Sequence, residues 1–240
     1  WYRLGKLLAR NRLAAGATAA VAAALVIGIG VAFWQARQAR VEQQRAEAVK
    51  EFMTALFRDV DAYGAQHSKP TVQELLQQAR TRLQGEFVSQ PALRVELLVT
   101  LANGLAGLSD YDGAESALRQ ALDEGVPVLG RRHALVLSAR VGMANVLRFR
   151  GRVPEMQAEL DALRADMAAT PDVAAADRVE MMENVVHLAV NQGRYADAEA
   201  AAREVSALST RHFDRRHPRR VTALMLVGLT ASYNGDHERS

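Results

Sequence analysis

The sequence predicts an all-α protein in which a single transmembrane helix precedes an α-solenoid of stacked helix pairs. Three observations support this prediction. Residues 13–34 contain no charged side chain. Similar stretches recur every 42 residues further along the chain. Aromatic residues make up only 5% of a chain rich in alanine, which favours closely packed helices over sheets.

The composition excludes several classes of site. The 240 residues have a net charge of +3 and include no cysteine. A nearly balanced charge provides no broad positive field for nucleic acid. The absence of cysteine excludes thiolate metal ligands, disulfides and cysteine nucleophiles. Because the chain begins with Trp1 and stops within a repeat, we expect it to be a piece of a longer protein.

Residues 13–34 are predicted to cross a membrane. A helix of these 22 residues is about 33 Å long, enough for a hydrocarbon core of roughly 30 Å. A cleaved signal peptide is the alternative, but the bulky Phe33 and Trp34 leave no good cleavage site. Small residues at intervals of four would let two such helices pack closely as a homodimer. They are Gly16, Ala20, Ala24, Gly28 and Ala32.

Basic residues flank this segment on both sides. Residues 1–12 form a basic juxtamembrane segment suited to an anionic lipid bilayer surface. Residues 35–62 are predicted to continue as a post-membrane helix, which Gly64 and Pro70 then end. Each flank has four basic residues, so charge leaves the orientation open, with a slight preference for a cytoplasmic N-terminal side.

Three stretches spaced by 42 residues look alike: LSDYDGAESALRQAL, FRGRVPEMQAELDAL and NQGRYADAEAAAREV. They align on Ser109, Gly151 and Gly193, and the next step falls on Gly235. We expect each unit to form a helix, a short turn and a second helix, which bury their apolar faces by stacking on neighbouring units. A capping helix region at 71–94 precedes the repeats at 95–240, which divide into 95–136, 137–178, 179–220 and a truncated fourth unit at 221–240.

The turn of the third stretch resembles that of the tetratricopeptide repeat, with Gly193, Tyr195 and Ala198 in the characteristic order. A period of 42 is similar to the longer subtype found in kinesin light chains and many bacterial sensors. The order of parts, with its WQAR-x-A and RAE-x-V-x-x-F-x-x-x-LF elements, resembles the region after the kinase domain of proteobacterial receptor-like serine/threonine protein kinases. This resemblance implies a cytoplasmic kinase upstream, a single pass through the bacterial inner membrane, and repeats in the periplasm.

No catalytic constellation is recognisable in this segment. The His-Arg-Asp, Asp-Phe-Gly and Ala-Pro-Glu motifs of kinases are missing. His212 and His217 lack companion ligands for a metal, so no metal or cofactor is expected.

Stacked repeats predict instead a groove on the first helices that binds a protein or peptide. Asn103, Asn145 and His187 occupy equivalent places in three units, and asparagine can hydrogen-bond a peptide backbone. The full set of predicted groove residues is Asn103, Asn145, Arg148, Phe149, Glu183, His187 and Asn191.

Three functions fit these features. The first is the non-catalytic, membrane-anchored sensor region of a receptor-like serine/threonine kinase, which binds a protein or peptide. The second is the corresponding region of a membrane-anchored transcription regulator, and the third is a stand-alone scaffold or assembly factor. The residues upstream of Trp1 would discriminate between them.

Overall fold

The computed structural model describes residues 24, 26–40, 43, 46–52, 54, 71–83, 85–171 and 173–239, with side chains through residue 235 at the C-terminal end. The chain divides into two compact units, Trp1–His67 and Ser68–Ser240. The two units are described separately below.

In the first unit, residues 26–40 and 46–52 are helical. Most of the apolar side chains at 26–34 are exposed, Phe33 by 75%. Ala24, Gly28 and Ala32 lie on this exposed helix, whereas Gly16, Ala20 and the basic segment at 1–12 fall outside the described residues. The helix-packing face therefore remains a prediction.

The predicted location in the bacterial inner membrane is wrong. Over the part of the chain that the structure describes, no helix is both long and apolar enough to cross a membrane. The single pass with a cytoplasmic N-terminal side and periplasmic repeats is corrected accordingly, and residues 13–23 and 25 of the predicted span lie outside the described residues.

The second unit is built from helices that alternate between first and second members of a pair. A helix ahead of the repeats, α1, spans Val72–Leu83. The first helices are α2 (Pro91–Gly107), α4 (Ala134–Phe149), α6 (Ala175–Asn191) and α8 (Pro218–Arg239). The second helices are α3 (Tyr111–Leu129), α5 (Val153–Ala168) and α7 (Tyr195–His212).

The turns between paired helices lie at the positions on which the three stretches align. Ser109, Gly151 and Gly193 have positive φ angles of 63°, 67° and 70°. The Ser109 N–H donates to the Ala106 carbonyl and the Asp110 N–H to the Leu105 carbonyl, both at 2.9 Å. The same two bonds recur 42 and 84 residues later at 2.9–3.1 Å. This is the Schellman arrangement, which satisfies carbonyls at the helix end and turns the chain sharply into the next helix.

The fourth unit departs from the predicted pattern at Gly235. The sequence period predicts a turn there, but α8 continues through it to Arg239. Gly235 has no positive φ angle, so it does not form the left-handed turn that the three complete units use. A glycine permits that turn but does not enforce it, and no second helix pairs with α8 within the described residues.

Helix pairs approach closely where their buried side chains are small. Ala102 on α2 and Ala114 on α3 are at most 1% exposed, as the sequence period predicts for a close crossing. The second unit replaces the second alanine with Met156, which is also fully buried. A flexible methionine can fill an irregular gap, so the most divergent unit still has a closed core.

Two buried charges tie the second unit together. Arg140 on α4 donates to Asp166 on α5 at 2.6 Å and to Glu159 at 2.6 Å. Arg131, in the loop before α4, also donates to Asp166 at 2.7 Å. Burial alone would raise the pKa of Asp166, but these arginine hydrogen bonds outweigh it and hold the pKa at about 2. The carboxylate therefore stays charged and joins the loop, α4 and α5.

Substitutions at the turn positions test the left-handed geometry. Ser109→Gly should raise the free energy of unfolding by about 1 kcal/mol, because a side chain in the left-handed region costs roughly 1–2 kcal/mol. Gly193→Ala should lower it by a similar amount. Urea unfolding followed by circular dichroism measures both changes.

Gly235→Ala is the matched control, since a helical glycine costs about 1 kcal/mol relative to alanine. We expect it to leave the protein as stable or more stable. A loss equal to that of Gly193→Ala would show that a fourth turn forms in solution, contrary to the continuous α8.

Candidate peptide-binding groove

The first helices form one face of the stack. Contacts join α2 to α4, α4 to α6 and α6 to α8. Contacts between successive second helices are at most slight among the described residues. The first helices are therefore the more closely spaced layer, and in a curved repeat stack that layer lines the inner, concave surface. The predicted groove residues are all on α2, α4 and α6.

A row of polar contacts links the starts of successive first helices. Ser138 on α4 lies 3.3 Å from Asp177 on α6, and Arg219 on α8 donates to Glu180 on α6 at 2.7 Å. Ser138 and Glu180 are 42 residues apart, as are Asp177 and Arg219. The same two positions of the repeat therefore meet twice: by a hydrogen bond between α4 and α6, and by an ion pair between α6 and α8.

A second row links the second helices to the end of the following first helix. Glu115 accepts from Arg150 at 2.8 Å, Gln157 accepts from Gln192 at 2.7 Å and Glu199 accepts from Asn234 at 2.9 Å. The partners are 35 residues apart in every case. These contacts set the spacing between units from the side opposite the groove.

Aromatic pairs reinforce two of the three boundaries. The rings of Tyr111 and Phe149 stack with centroids 5.0 Å apart, and those of Tyr195 and Tyr233 lie 5.7 Å apart. Tyr111 and Tyr195 are the first residues of second helices, Phe149 ends α4, and Tyr233 stands 84 residues after Phe149 within α8. Such pairs stabilise by about 0.5–1.5 kcal/mol beyond the area that they bury.

Arg148 is the centre of the predicted groove. Its Nη2 donates to Asn145 Oδ1 at 2.8 Å, and its guanidinium carbon lies 3.8 Å from the centroid of the Phe149 ring. Burial lowers the pKa of Arg148, and the negative charge of Glu183 partly offsets that effect. The Nε atom is buried and has no hydrogen-bond partner among the described residues.

Carboxylates on α6 face this arginine. Burial raises the pKa of Glu183, although the nearby cation of Arg219 opposes the shift. Arg219 Nη1 lies 3.6 Å from one oxygen of Glu183, while Oε1 is buried without a partner in the described part of the chain. The neighbouring Asn184 is only 2% exposed, and its Nδ2 is also unpaired there. Among the described residues, two donors (Arg148 Nε and Asn184 Nδ2) and one acceptor (Glu183 Oε1) on adjacent helices thus have no hydrogen-bond partner.

His187 is uncharged at neutral pH. Burial lowers its pKa to about 4, and the positive charge of Arg148 adds to the shift. A neutral imidazole presents one donor and one acceptor, which suits a polar ligand.

The structure groups five of the seven predicted groove residues around Arg148: Asn145, Arg148, Phe149, Glu183 and His187. Asn103 is exposed and lies beside Gly142 of α4, and Asn191 is exposed at the end of α6. Sequence reasoning missed Ser138, Asp177, Glu180, Asn184 and Arg219, although four of these stand in the 42-residue register. Ligand binding by any of them remains a prediction.

His217, one of the two histidines considered as metal ligands, contacts an aromatic ring and a backbone N–H. The ring of His217 stacks on Phe213 at 4.2 Å, and its Nδ1 accepts from the Arg219 N–H at 3.2 Å. His133, 84 residues earlier, accepts from the Leu135 N–H in the same way. Over the described ranges, no group of three His, Asp or Glu residues could hold a metal ion.

The buried neutral state of His187 makes a pH-dependent contribution to stability. Its folded pKa is below the ordinary 6.5, so the unfolded chain binds the proton more readily, and stability falls as pH drops from about 6.5 towards 4. Between pH 7 and 5 we expect a loss of about 1–2 kcal/mol that His187→Gln removes. Urea unfolding at both pH values measures the difference. An imidazole of His187 that titrates near 6.5 by nuclear magnetic resonance would contradict this account.

Comparisons with known proteins agree with this architecture. Residues 179–219 match the family model of the tetratricopeptide repeat. A crystal structure of nearly identical tetratricopeptide-like repeats, described as a kinesin light chain of Podosopora anserina, has a TM-score of 0.51 at 17% identity, over 83% of this chain and 89% of that chain. A substituted form of the same repeats has a TM-score of 0.52 at the same identity and coverage. No curated protein matches the sequence.

These matches establish the fold but no specific activity, because the identity to the solved structures is low. Together with the helix pairs, the left-handed turns and the 42-residue period, they show that the chain contains a tetratricopeptide-like repeat region.

Proposed function

We propose that the groove formed by α4, α6 and α8 binds a peptide segment of a partner protein. The observation that supports this most is the set of unpaired polar atoms at Arg148, Glu183 and Asn184. A buried polar atom without a hydrogen bond costs about 1–3 kcal/mol. All three atoms are closed to solvent in the unliganded chain. A peptide backbone has a carbonyl for each donor and an N–H for the acceptor, so a segment whose binding opens the groove far enough to reach these atoms would satisfy all three.

The chain fits a non-catalytic binding role. Tetratricopeptide repeats are typically non-catalytic and generally bind proteins. The described side chains of the groove are amides, charges and aromatic rings, which suit recognition of an extended polar segment.

Two settings for this binding are proposed. The order of parts resembles receptor-like serine/threonine kinases, in which such repeats are the binding region of a signalling protein. A stand-alone scaffold fits the fold about equally, and the sensor region of a transcription regulator is a further alternative. Determining the coding sequence upstream of Trp1 separates these settings: kinase motifs support the first, a DNA-binding domain the third, and neither the scaffold.

Selection from a displayed peptide library on the full chain tests the groove. Peptides recovered on the unchanged protein should bind Arg148→Met and Asn184→Leu about tenfold or more weakly, corresponding to about 1.4 kcal/mol, because each variant removes an unpaired donor. Isothermal titration calorimetry gives the dissociation constants.

Arg203→Met is the matched control. Arg203 is exposed on the second helix α7 and pairs with Glu199 of the same helix, away from the groove residues. Its substitution should leave affinity within about twofold. Peptides that bind all three variants equally well, with circular dichroism showing folded proteins, would rule out the groove as the binding site.

A further inference from the structure

The loop between α3 and α4 presents two exposed arginines that each use only one nitrogen within the protein. Arg131 Nε donates to one oxygen of Asp166 at 2.7 Å, and Arg132 Nε donates to the other oxygen at 3.4 Å. The two side chains remain 60% and 64% exposed. Their terminal nitrogens, Nη1 and Nη2, have no hydrogen-bond partner among the described residues, so four nitrogens are open to a ligand from outside.

These arginines are held in place from the interior and by the loop itself. The Asp166 side chain is only 9% exposed, and the buried Arg140 donates to it at 2.6 Å. The Gly130 N–H donates to the Val126 carbonyl and the His133 N–H donates to the Gly130 carbonyl, both at 3.1 Å, which keeps the loop short. A guanidinium group anchored through Nε loses less entropy when its remaining nitrogens bind a ligand.

The cations of this network outnumber its carboxylates. Arg140 also donates to Glu159 at 2.6 Å. Three guanidinium groups, those of Arg131, Arg132 and Arg140, therefore share the two carboxylates of Asp166 and Glu159. One positive charge is left over.

A fourth guanidinium group lies at the same end of α5 and is paired only with carbonyls. Arg178 Nη2 donates to the Thr170 carbonyl at 2.6 Å, and Nη1 donates to the Met167 carbonyl at 3.4 Å. The neighbouring Asp177 contacts Ser138 instead. Arg178 has no carboxylate partner among the described residues, so the formal excess at this end of α5 is two positive charges.

We propose that Arg131 and Arg132 bind a phosphate group at this loop, with Asp166 as the residue that positions them. A phosphate group carries a charge of about −1.5 to −2 at neutral pH and three strong acceptor oxygens, which match the excess charge and the open nitrogens. A carboxylate offers one charge and two oxygens. The chain as a whole has a net charge of only +3, which gives no broad field for the continuous phosphates of a nucleic acid.

The chain contains the same tripeptide a second time, without the buried anchor. Arg-Arg-His at 131–133 recurs at 215–217, and both histidines accept from the N–H two residues further on. Arg215 and Arg216 are exposed. Asp214 accepts only from the backbone N–H of Arg216, and no carboxylate in the described ranges pairs with either arginine side chain. This loop has the charge of the first without its fixed orientation, which makes it the matched control.

Nuclear magnetic resonance of the full chain tests the site with inorganic phosphate, titrated at about pH 7.5 against sodium chloride of equal ionic strength. Phosphate should shift the backbone amide signals of residues 130–134 in a saturable way, and chloride should not. The double variant Arg131→Gln/Arg132→Gln should weaken binding about tenfold or more, because it removes charge-assisted hydrogen bonds. Arg215→Gln/Arg216→Gln should stay within about twofold of the unchanged chain.

A second double variant separates geometry from charge. Arg131→Lys/Arg132→Lys keeps both charges but loses the planar fork, so it should also bind phosphate more weakly. A Gly-phosphoserine-Gly peptide identifies the source of the group. Tighter binding than that of inorganic phosphate indicates a phosphorylated partner protein, weaker binding indicates free phosphate, and either result supports the site.

Several outcomes would overturn the proposal. They are unmoved amide signals at residues 130–134 in the unchanged chain, equal losses in the two glutamine variants, an unaltered affinity of the lysine variant, and a Gly-Asp-Gly peptide that binds as tightly as its phosphoserine counterpart. The first of these needs no variant and so does not depend on how a substituted chain folds. The site shares no residue with the peptide-binding groove, so either proposal can fail alone.

Discussion

The left-handed residue between paired helices is the constraint on which the stack depends. It ends one helix, satisfies two of its carbonyls and starts the next helix within two residues. The second helices therefore begin at Tyr111, Val153 and Tyr195, in strict register. Any longer connection would let the pair splay, and the inter-unit contacts that recur at fixed offsets would no longer meet.

The groove combines that rigid frame with an incompletely satisfied polar interior. Arg148 and Glu183 are partly removed from water, yet each keeps an unpaired atom in the described structure. Most buried polar atoms in folded proteins have a hydrogen-bond partner. A ligand that completed these hydrogen bonds, next to the neutral His187, would bind a site that is already arranged, and a pre-organised site loses less entropy on binding.

Much of the repeat could be predicted from the sequence because a fixed period reports local geometry. Ser109, Gly151 and Gly193 mark the turns, and small residues such as Ala102 and Ala114 mark the helix crossings. Gly235 misled the same reasoning, because glycine permits a turn without requiring one. The ion pair of Arg219 with Glu180 was missed because only the fold shows which polar positions of successive helices meet. The membrane location was wrong: it was inferred from the apolar composition of residues 13–34, and no helix in the described part of the chain is both long and apolar enough to cross a membrane.

The contacts between residues 35 apart differ in chemistry from one pair of neighbouring units to the next, and each such boundary is called a joint here. Glu115 meets Arg150 and Arg152, so the first joint is an ion-pair cluster, whereas Gln157 and Gln192 make the second joint from two uncharged amides. Dissolved salt screens attraction between charges but hardly affects a bond between neutral amides. Added salt should therefore weaken the ion pairs between the first and second units while leaving the amide pair between the second and third units nearly unchanged.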